Sequence, residues 1–96
     1  MMNDPFIVGQ AGLWARRTLG DDSLTTPEQR IQRMYQTAFA RPATSEESAS
    51  AQAFIGKQAA LLGAPAGGGG DPMNHEQAWA DLAHTLLNVK EFIFLQ

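Results

Sequence analysis

The sequence predicts an all-α protein, a small bundle of four or five helices that forms a single domain over residues 1–96. In the longer segments, apolar residues recur at the i, i+3, i+4, i+7 spacing of an amphipathic helix. No stretch alternates between apolar and polar residues for long enough to predict a strand. Proline, glycine and helix-capping residues separate the helical segments, and 96 residues suffice for only one hydrophobic core.

The first helix is predicted over residues 5–19. Asp4 is suited to cap its N-terminus, and Pro5 is suited to the first helical position, where the missing N–H costs no hydrogen bond. Gly9 and Gly12 lie inside this helix, where a glycine costs about 1 kcal/mol relative to alanine. We therefore expect these two glycines to allow close approach of another helix.

A capping box formed by Thr26 and Gln29 starts the second helix, which is predicted over residues 27–40. Pro42 ends it, because the residue before a proline is disfavoured in the α conformation. One apolar stripe runs along this helix at positions Ile31, Met34, Tyr35, Ala38 and Phe39.

A second capping box, Thr44 with Glu47, starts the third helix, predicted over residues 45–62 with Gly63 as its C-terminal cap. Alanine, proline and a run of four glycines follow. This composition is typical of a flexible connection, so residues 64–73 are predicted to form a flexible loop before the last long helix.

The fourth helix is predicted over residues 75–87, starting near Asn74 with Gln77 in capping-box register. Asn88 is predicted to end it, and a short terminal segment is predicted over residues 89–95. The apolar stripe of the fourth helix comprises Trp79, Leu82, Ala83, Leu86 and Leu87. The predicted shared core comprises Tyr35, Phe39, Phe54, Trp79, Leu82 and Leu86.

The composition excludes several classes of function. Seven basic against ten acidic residues give a net charge of −3, which argues against nucleic acid or an anionic membrane as the main partner. The chain has no cysteine, which excludes disulfides, cysteine-ligated zinc, iron–sulfur clusters and covalently attached c-type haem. It contains neither a recognisable signal peptide nor an apolar run of 18 residues, so no membrane span is predicted.

Asp81 and His84 are three residues apart, a spacing at which a carboxylate and an imidazole on one helix can share a metal ion. A metal site in a helical bundle needs further ligands on facing helices, and this pair occurs once and lies off the apolar stripe. We therefore expect a solvated pair, with no bound metal and no cofactor.

Two other patterns have simpler structural explanations than catalysis. The run Gly67–Gly70 lacks the Gly-Lys-Ser/Thr element of a phosphate-binding loop and precedes Asp71 and Pro72, so a solvated linker is expected. Ser45 belongs to a helix start, and the chain has no Gly-x-Ser-x-Gly element. The sequence thus predicts no catalytic residue and no enzymatic activity.

Arg30, Arg33 and Arg41 are the residues that could form a basic face for nucleic acid, on a helix pair similar to a helix-turn-helix. The second helix of that pair begins with Glu46 and Glu47 at the end that would face phosphates. Because this repulsion opposes binding, no nucleic-acid partner is predicted.

Three blocks of sequence resemble one known family: MNDPFIVGQA at residues 2–11, RIQRMYQTAFARPATSEE at residues 30–47 and AWADLAHTLLNVKEFI at residues 78–93. They are similar to segments of the C-terminal domain of unknown function in large secreted planctomycete proteins, which often also carry planctomycete cytochrome c domains. Two departures are Ala40, where glycine is common, and the glycine-rich insertion before Asp71.

The resemblance implies an exported parent protein, periplasmic or extracellular, and brings no catalytic residues to this sequence. Since the chain starts directly at a helix-start signal and ends in apolar residues, we expect it to be the C-terminal part of that larger protein. The predicted function is a non-catalytic helical module that packs against the rest of its parent or a protein partner. An independent protein- or carbohydrate-binding regulatory domain is the alternative.

The final apolar run, Phe92, Ile93, Phe94 and Leu95, is the candidate interface. On a helix, consecutive residues point about 100° apart, so one side of this run can join the core while the other faces outwards. We expect self-association, or binding to the rest of the parent, through the more exposed of the two phenylalanines. The alternative is that the whole run simply completes the core.

Overall fold

The computed structural model describes the backbone of residues 4–63 and 72–95, and the side chains in these ranges except at Pro72 and residues 90–95. The regular structure in this part of the chain is entirely helical, which confirms the all-α prediction. The elements are α1 (Pro5–Leu19), α2 (Pro27–Phe39), α3 (Ser45–Leu62), a short 3₁₀ helix (Pro72–Asn74) and α4 (Glu76–Leu95).

Three contacts bring the end of α1, the start of α2 and the end of α3 together around the start of α4. These are Arg16 Nε to Glu76 Oε1 at 3.1 Å, Arg30 Nη1 to Asn74 Oδ1 at 2.7 Å and His75 Nε2 to the Gly63 carbonyl at 3.1 Å. We call this the proximal end of the bundle. It follows that α2 runs in the same direction as α4, whereas α1 and α3 run in the opposite direction. The end of α2 and the start of α3 therefore lie at the other, distal end.

The core lies between all four helices, and its largest fully buried side chains are Trp79, Ile31, Met34 and Ile55. Of the six predicted core residues, Trp79, Leu82 and Leu86 are buried. Tyr35, Phe39 and Phe54 are half-buried and pack against the core from its edge. The prediction of one shared core is therefore confirmed, with the three aromatic residues of α2 and α3 at its border.

Within the described fold, Gly9 and Gly12 do not bring a second helix close, so that expectation is wrong for the packing of this chain. A Cβ atom placed on either glycine would meet nothing within 4 Å. Instead α1 buries Ala11 and Ala15, and these small side chains belong to the same core cluster as the α4 alanines. Alanine allows two helices to pack closely without the conformational cost of glycine.

The N-termini of α2 and α3 are capped as predicted. Both capping boxes are formed, with Gln29 N–H donating to the Thr26 hydroxyl at 3.2 Å and Glu47 N–H donating to the Thr44 hydroxyl at 3.1 Å. Helix α2 ends at Phe39, one residue earlier than predicted, because Ala40 adopts the left-handed conformation with φ of 56°. That conformation is unfavourable for residues other than glycine.

The predicted break of the last helix at Asn88 is wrong, since α4 continues without interruption to Leu95. Asparagine lowers helix propensity by only about 0.7 kcal/mol relative to alanine, and neither proline nor glycine stands near it. The residues assigned to a separate segment over 89–95 are therefore the last turns of α4.

The start of α4 also differs from the prediction. His75, not Asn74, precedes the helix, and the N–H of Ala78 donates to the imidazole Nδ1 at 3.3 Å. Asn74 instead accepts a hydrogen bond from Arg30, and Gln77 donates to Asp81. The last residues of the predicted loop belong to the 3₁₀ helix Pro72–Asn74, and the remainder, residues 64–71, lies outside the described residues.

Candidate protein-docking groove

An open groove of about 940 Å³ lies among the end of α2, the first half of α3 and the second half of α4. We call it the distal groove. Its apolar lining comprises Tyr35, Ala38, Phe39, Ala40, Ala51, Phe54, Leu82, Leu86 and Val89. Its polar lining comprises Thr37, Arg41, Glu46, Glu47, Ser50 and Thr85. The groove is mainly apolar, and its polar side chains include the residues at the start of α3.

The groove exists because the first half of α3 carries mostly small side chains. Between residues 48 and 53 the sequence reads SASAQA, and Phe54 is the first bulky apolar residue of the helix. On the opposite side, α2 and α4 contribute Phe39 and Leu86. Small residues on one helix facing large ones on its neighbours leave a depression whose lining includes half-buried rings.

An arginine and two aromatic rings form one wall of the distal groove. The ring centroids of Tyr35 and Phe39 are 5.4 Å apart with an interplanar angle of 57°. The Arg41 guanidinium carbon lies 5.8 Å from each of these two centroids, within the range of a cation–π contact. Arg41 also binds Glu47 through two hydrogen bonds of 2.8 and 2.9 Å. This bidentate geometry fixes the guanidinium beside the rings.

Glu47 joins this wall to the start of α3. Its carboxylate accepts hydrogen bonds from Arg41 and from the backbone N–H of Thr44 at 2.9 Å. These contacts, of which the Arg41 hydrogen bond is the strongest, lower the pKa of Glu47 to about 2. Burial, together with the nearby charge of Glu47, raises the pKa of the Tyr35 hydroxyl. Glu47 is therefore ionised throughout the physiological range.

The Arg41–Glu47 ion pair should make the stability of the fold depend on pH. A depressed pKa in the folded state means that the ionised carboxylate stabilises the fold above about pH 4.5, and that this stabilisation is lost as the pH falls towards about 2. Glu47→Gln keeps an acceptor for the capping box but removes the charge. Thermal unfolding should give a lower Tm for this variant at neutral pH, with the gap to wild type closing between about pH 4.5 and 2.

Glu46→Gln is the matched control, because Glu46 lies in the same helical turn and forms no ion pair within the described residues. Its difference in Tm from wild type should change less over this pH range. If the Glu47→Gln gap were constant with pH, the pairing of Arg41 with Glu47 would not contribute to stability.

The structure does not bring Asp81 and His84 into a metal-binding cluster. The part of the chain described contains no group of three or more histidine, aspartate or glutamate side chains able to hold a metal ion. The expectation that Asp81 is simply solvated needs correction, because its two carboxylate oxygens accept hydrogen bonds from the Gln58 and Gln77 amides, each at 3.0 Å. Asp81 therefore links α4 to α3.

The three arginines considered for nucleic acid each contact a different part of the fold. The guanidinium carbon of Arg30 lies 5.8 Å from the centroid of the Trp79 ring, and Arg30 also donates a hydrogen bond to Asn74. Arg33 pairs with Asp21 at 3.3 Å. Arg41 forms the ion pair that belongs to the distal groove. Each has a separate structural role.

Sequence reasoning missed the distal groove. It placed the candidate interface at Phe92, Ile93, Phe94 and Leu95, which lie in the last turns of α4 and whose side chains are outside those the structure describes. That prediction stays a prediction. Val89, the last described residue of α4 that lines the groove, is one helical turn before Phe92. The available sequence signal for the groove was the run of small residues at the start of α3.

Comparisons with protein-family models, with curated proteins and with solved structures gave no match. Among the described residues, none of the helices has the length and apolar character needed to cross a membrane.

Proposed function

We propose that this chain is a non-catalytic helical module that binds a helix of the larger polypeptide to which it belongs, in the distal groove. The observation that carries the proposal is the groove itself, about 940 Å³ in volume and lined by apolar side chains that the four helices leave partly uncovered. An amphipathic helix recognises such a groove by placing its apolar face against the lining residues.

The state of the polar side chains in the groove favours docking over catalysis. Arg41 and Glu47 bind each other, and the Thr85 hydroxyl donates to the backbone carbonyl of Asp81 at 3.0 Å. Nucleophilic catalysis needs a nucleophile next to a base that is free to accept its proton. Here the two strongest ionic groups satisfy each other and instead shape one wall of the groove.

The position of Arg41 also favours a protein helix over a carbohydrate as the ligand of the groove. Sugars stack on the open faces of aromatic rings, whereas Arg41 already lies near both Tyr35 and Phe39. The apolar residues of α3 and α4, including Phe54 and Val89, extend the surface beyond these rings. We also propose that the parent is an exported protein of the planctomycete family, because three blocks of this sequence resemble segments of that family's C-terminal domain.

The experiment uses peptides selected for binding to the purified chain. A display library of helical peptides of about 20 residues, long enough to span about 30 Å, provides the probes. The recovered peptides are then measured by fluorescence anisotropy against wild type, Val89→Glu and Leu61→Glu. Val89 is 43% exposed in the groove, whereas Leu61 is 74% exposed on α3 and lies outside it. Both substitutions place a glutamate in the later part of a helix.

The proposal predicts that the selected peptides carry apolar residues at i, i+3 or i+4, and i+7. Binding to Val89→Glu should be at least about tenfold weaker, since a buried carboxylate without a partner opposes docking by more than about 1.4 kcal/mol. Binding to Leu61→Glu should be unchanged. Failure to select any peptide, or equal binding to both variants, would contradict the proposal.

A further inference from the structure

The outer face of α1 carries two large apolar side chains that the described residues leave exposed. Phe6 is 69% exposed and Leu13 is 50% exposed. They are seven residues apart, which on a helix is two turns, so they lie on the same face. Ala11 and Ala15 are buried on the opposite face, against the core. This surface, distinct from the distal groove, we call the α1 outer face.

Gly9 lies between these two side chains and on the same face. A Cβ atom at this position would have open space around it. Nothing within the described fold therefore requires glycine here, although a glycine inside a helix costs about 1 kcal/mol relative to alanine. The absence of a side chain at Gly9 leaves a depression between Phe6 and Leu13, where the backbone of another helix can approach closely.

We propose that the α1 outer face binds the same face of a second copy of this chain, with the two α1 helices antiparallel around a two-fold axis near Gly9 and Gln10. A two-fold interface requires a surface that is complementary to itself. In this arrangement, Phe6 of each copy lies beside Leu13 of the other, and the two Gly9 positions meet near the axis. The spacing of the bulky residues on either side of the glycine provides this self-complementarity.

The charges at the two ends of α1 match the same arrangement. Arg17 is exposed on this face and forms no ion pair within the described residues. Asp4 is exposed at the N-terminus of α1, where its carboxylate accepts the N–H of Phe6 at 2.8 Å. Antiparallel pairing brings Arg17 of one copy within about 3 Å of the level of Asp4 of the other, measured along the helix axis. The antiparallel helix dipoles also attract each other.

The size of the face determines how strong this association is. One helix with two bulky apolar side chains presents less surface than the roughly 800 Å² that each partner contributes to a stable interface. We therefore expect dimers that form at high protein concentration and dissociate on dilution. Because α1 does not line the distal groove, this inference does not depend on the proposed function.

The first test uses the absence of native cysteine. Gly9→Cys places one thiol close to the two-fold axis, and the open space around Gly9 accommodates the added side chain. Under mild oxidation this variant should form a disulfide-linked dimer much faster than the control Leu61→Cys. Equal rates of cross-linking at the two positions would overturn the proposed arrangement.

The second test measures association directly by sedimentation equilibrium up to about millimolar protein. The dimer dissociation constant should rise at least about tenfold in Phe6→Glu and in Leu13→Glu, and should be unchanged in Leu61→Glu. Arg17→Gln and Asp4→Asn should weaken the dimer by a smaller factor and reduce its sensitivity to salt. Circular dichroism establishes that each variant is folded.

Two results would overturn the inference. One is a wild-type chain that stays monomeric over the whole concentration range. The other is a monomer whose α1 outer face instead binds vesicles containing anionic phospholipid, with binding lost in Phe6→Glu. Since neither experiment involves a groove-binding peptide, failure here leaves the proposed function intact.

Discussion

Replacing Trp79 with alanine is expected to lower the free energy of unfolding by about 3–5 kcal/mol. The Trp79 side chain is 0% exposed, and its indole N–H donates to the backbone carbonyl of Met73 at 2.7 Å. Truncation would therefore leave a large cavity in the core and remove the hydrogen bond from the indole to Met73. Because small domains are stable by only about 5–15 kcal/mol, much of the stability should be lost.

Urea denaturation, monitored by circular dichroism, measures this loss. Trp14→Ala is the control, since Trp14 is the other tryptophan and is only half-buried at the edge of the core. Its cost should be smaller. Trp79→Phe retains an aromatic ring but removes the hydrogen bond to Met73, so it should be intermediate between wild type and Trp79→Ala. A Trp79→Ala variant with an unchanged unfolding midpoint would contradict the described core.

Replacing Ile55 with alanine is the second large change, with an expected cost of about 2–5 kcal/mol. Ile55 is 0% exposed and belongs to the central cluster with Ile31, Met34 and Trp79. The loss comes from the removed apolar contacts and from the cavity that rigid neighbours cannot fill. Leu61→Ala is a control on the same helix, because Leu61 is 74% exposed.

The same denaturation experiment compares the two α3 variants. Leu61→Ala should change the free energy of unfolding by less than about 0.5 kcal/mol, as is usual for surface positions. If both variants lost the same stability, the orientation of α3 in the bundle would be wrong, since its inner and outer faces would be energetically equivalent.

Features determined by local sequence were predicted well. The capping boxes at Thr26 and Thr44 each depend on residues only three positions apart, and both are formed as expected. The stripe on α4 likewise placed Trp79 and Leu86 in the core. A hydrogen bond between near neighbours, or a periodic apolar pattern, can be inferred without knowledge of the other helices.

Features that depend on the relative positions of helices were not predictable in this way. Gly9 and Gly12 were expected at a close helix contact, which is made by alanines instead. Helical periodicity identifies which residues share a face, but it does not show which neighbouring helix that face meets.

The distal groove belongs to this second class. Its lining residues come from three helices, and Phe39, Phe54 and Val89 are far apart in sequence. The small residues at the start of α3 indicated a site of low side-chain volume. Whether that site becomes a closely packed contact or a groove depends on how α2 and α4 are placed around it. The Arg41–Glu47 pair, formed where the chain turns between α2 and α3, holds one wall of this groove.

Titration of a selected helical peptide into the isotopically labelled chain, followed by two-dimensional NMR, is the most direct test of the proposed docking site. Chemical shift changes are predicted for backbone amides around the distal groove, notably near Phe39, Ala51 and Val89. Residues 5–10 of α1 do not line the groove, so the chemical shifts of their amides should change little. Shift changes centred on α1, or none at saturating peptide, would contradict the assignment of the distal groove as a protein-docking site.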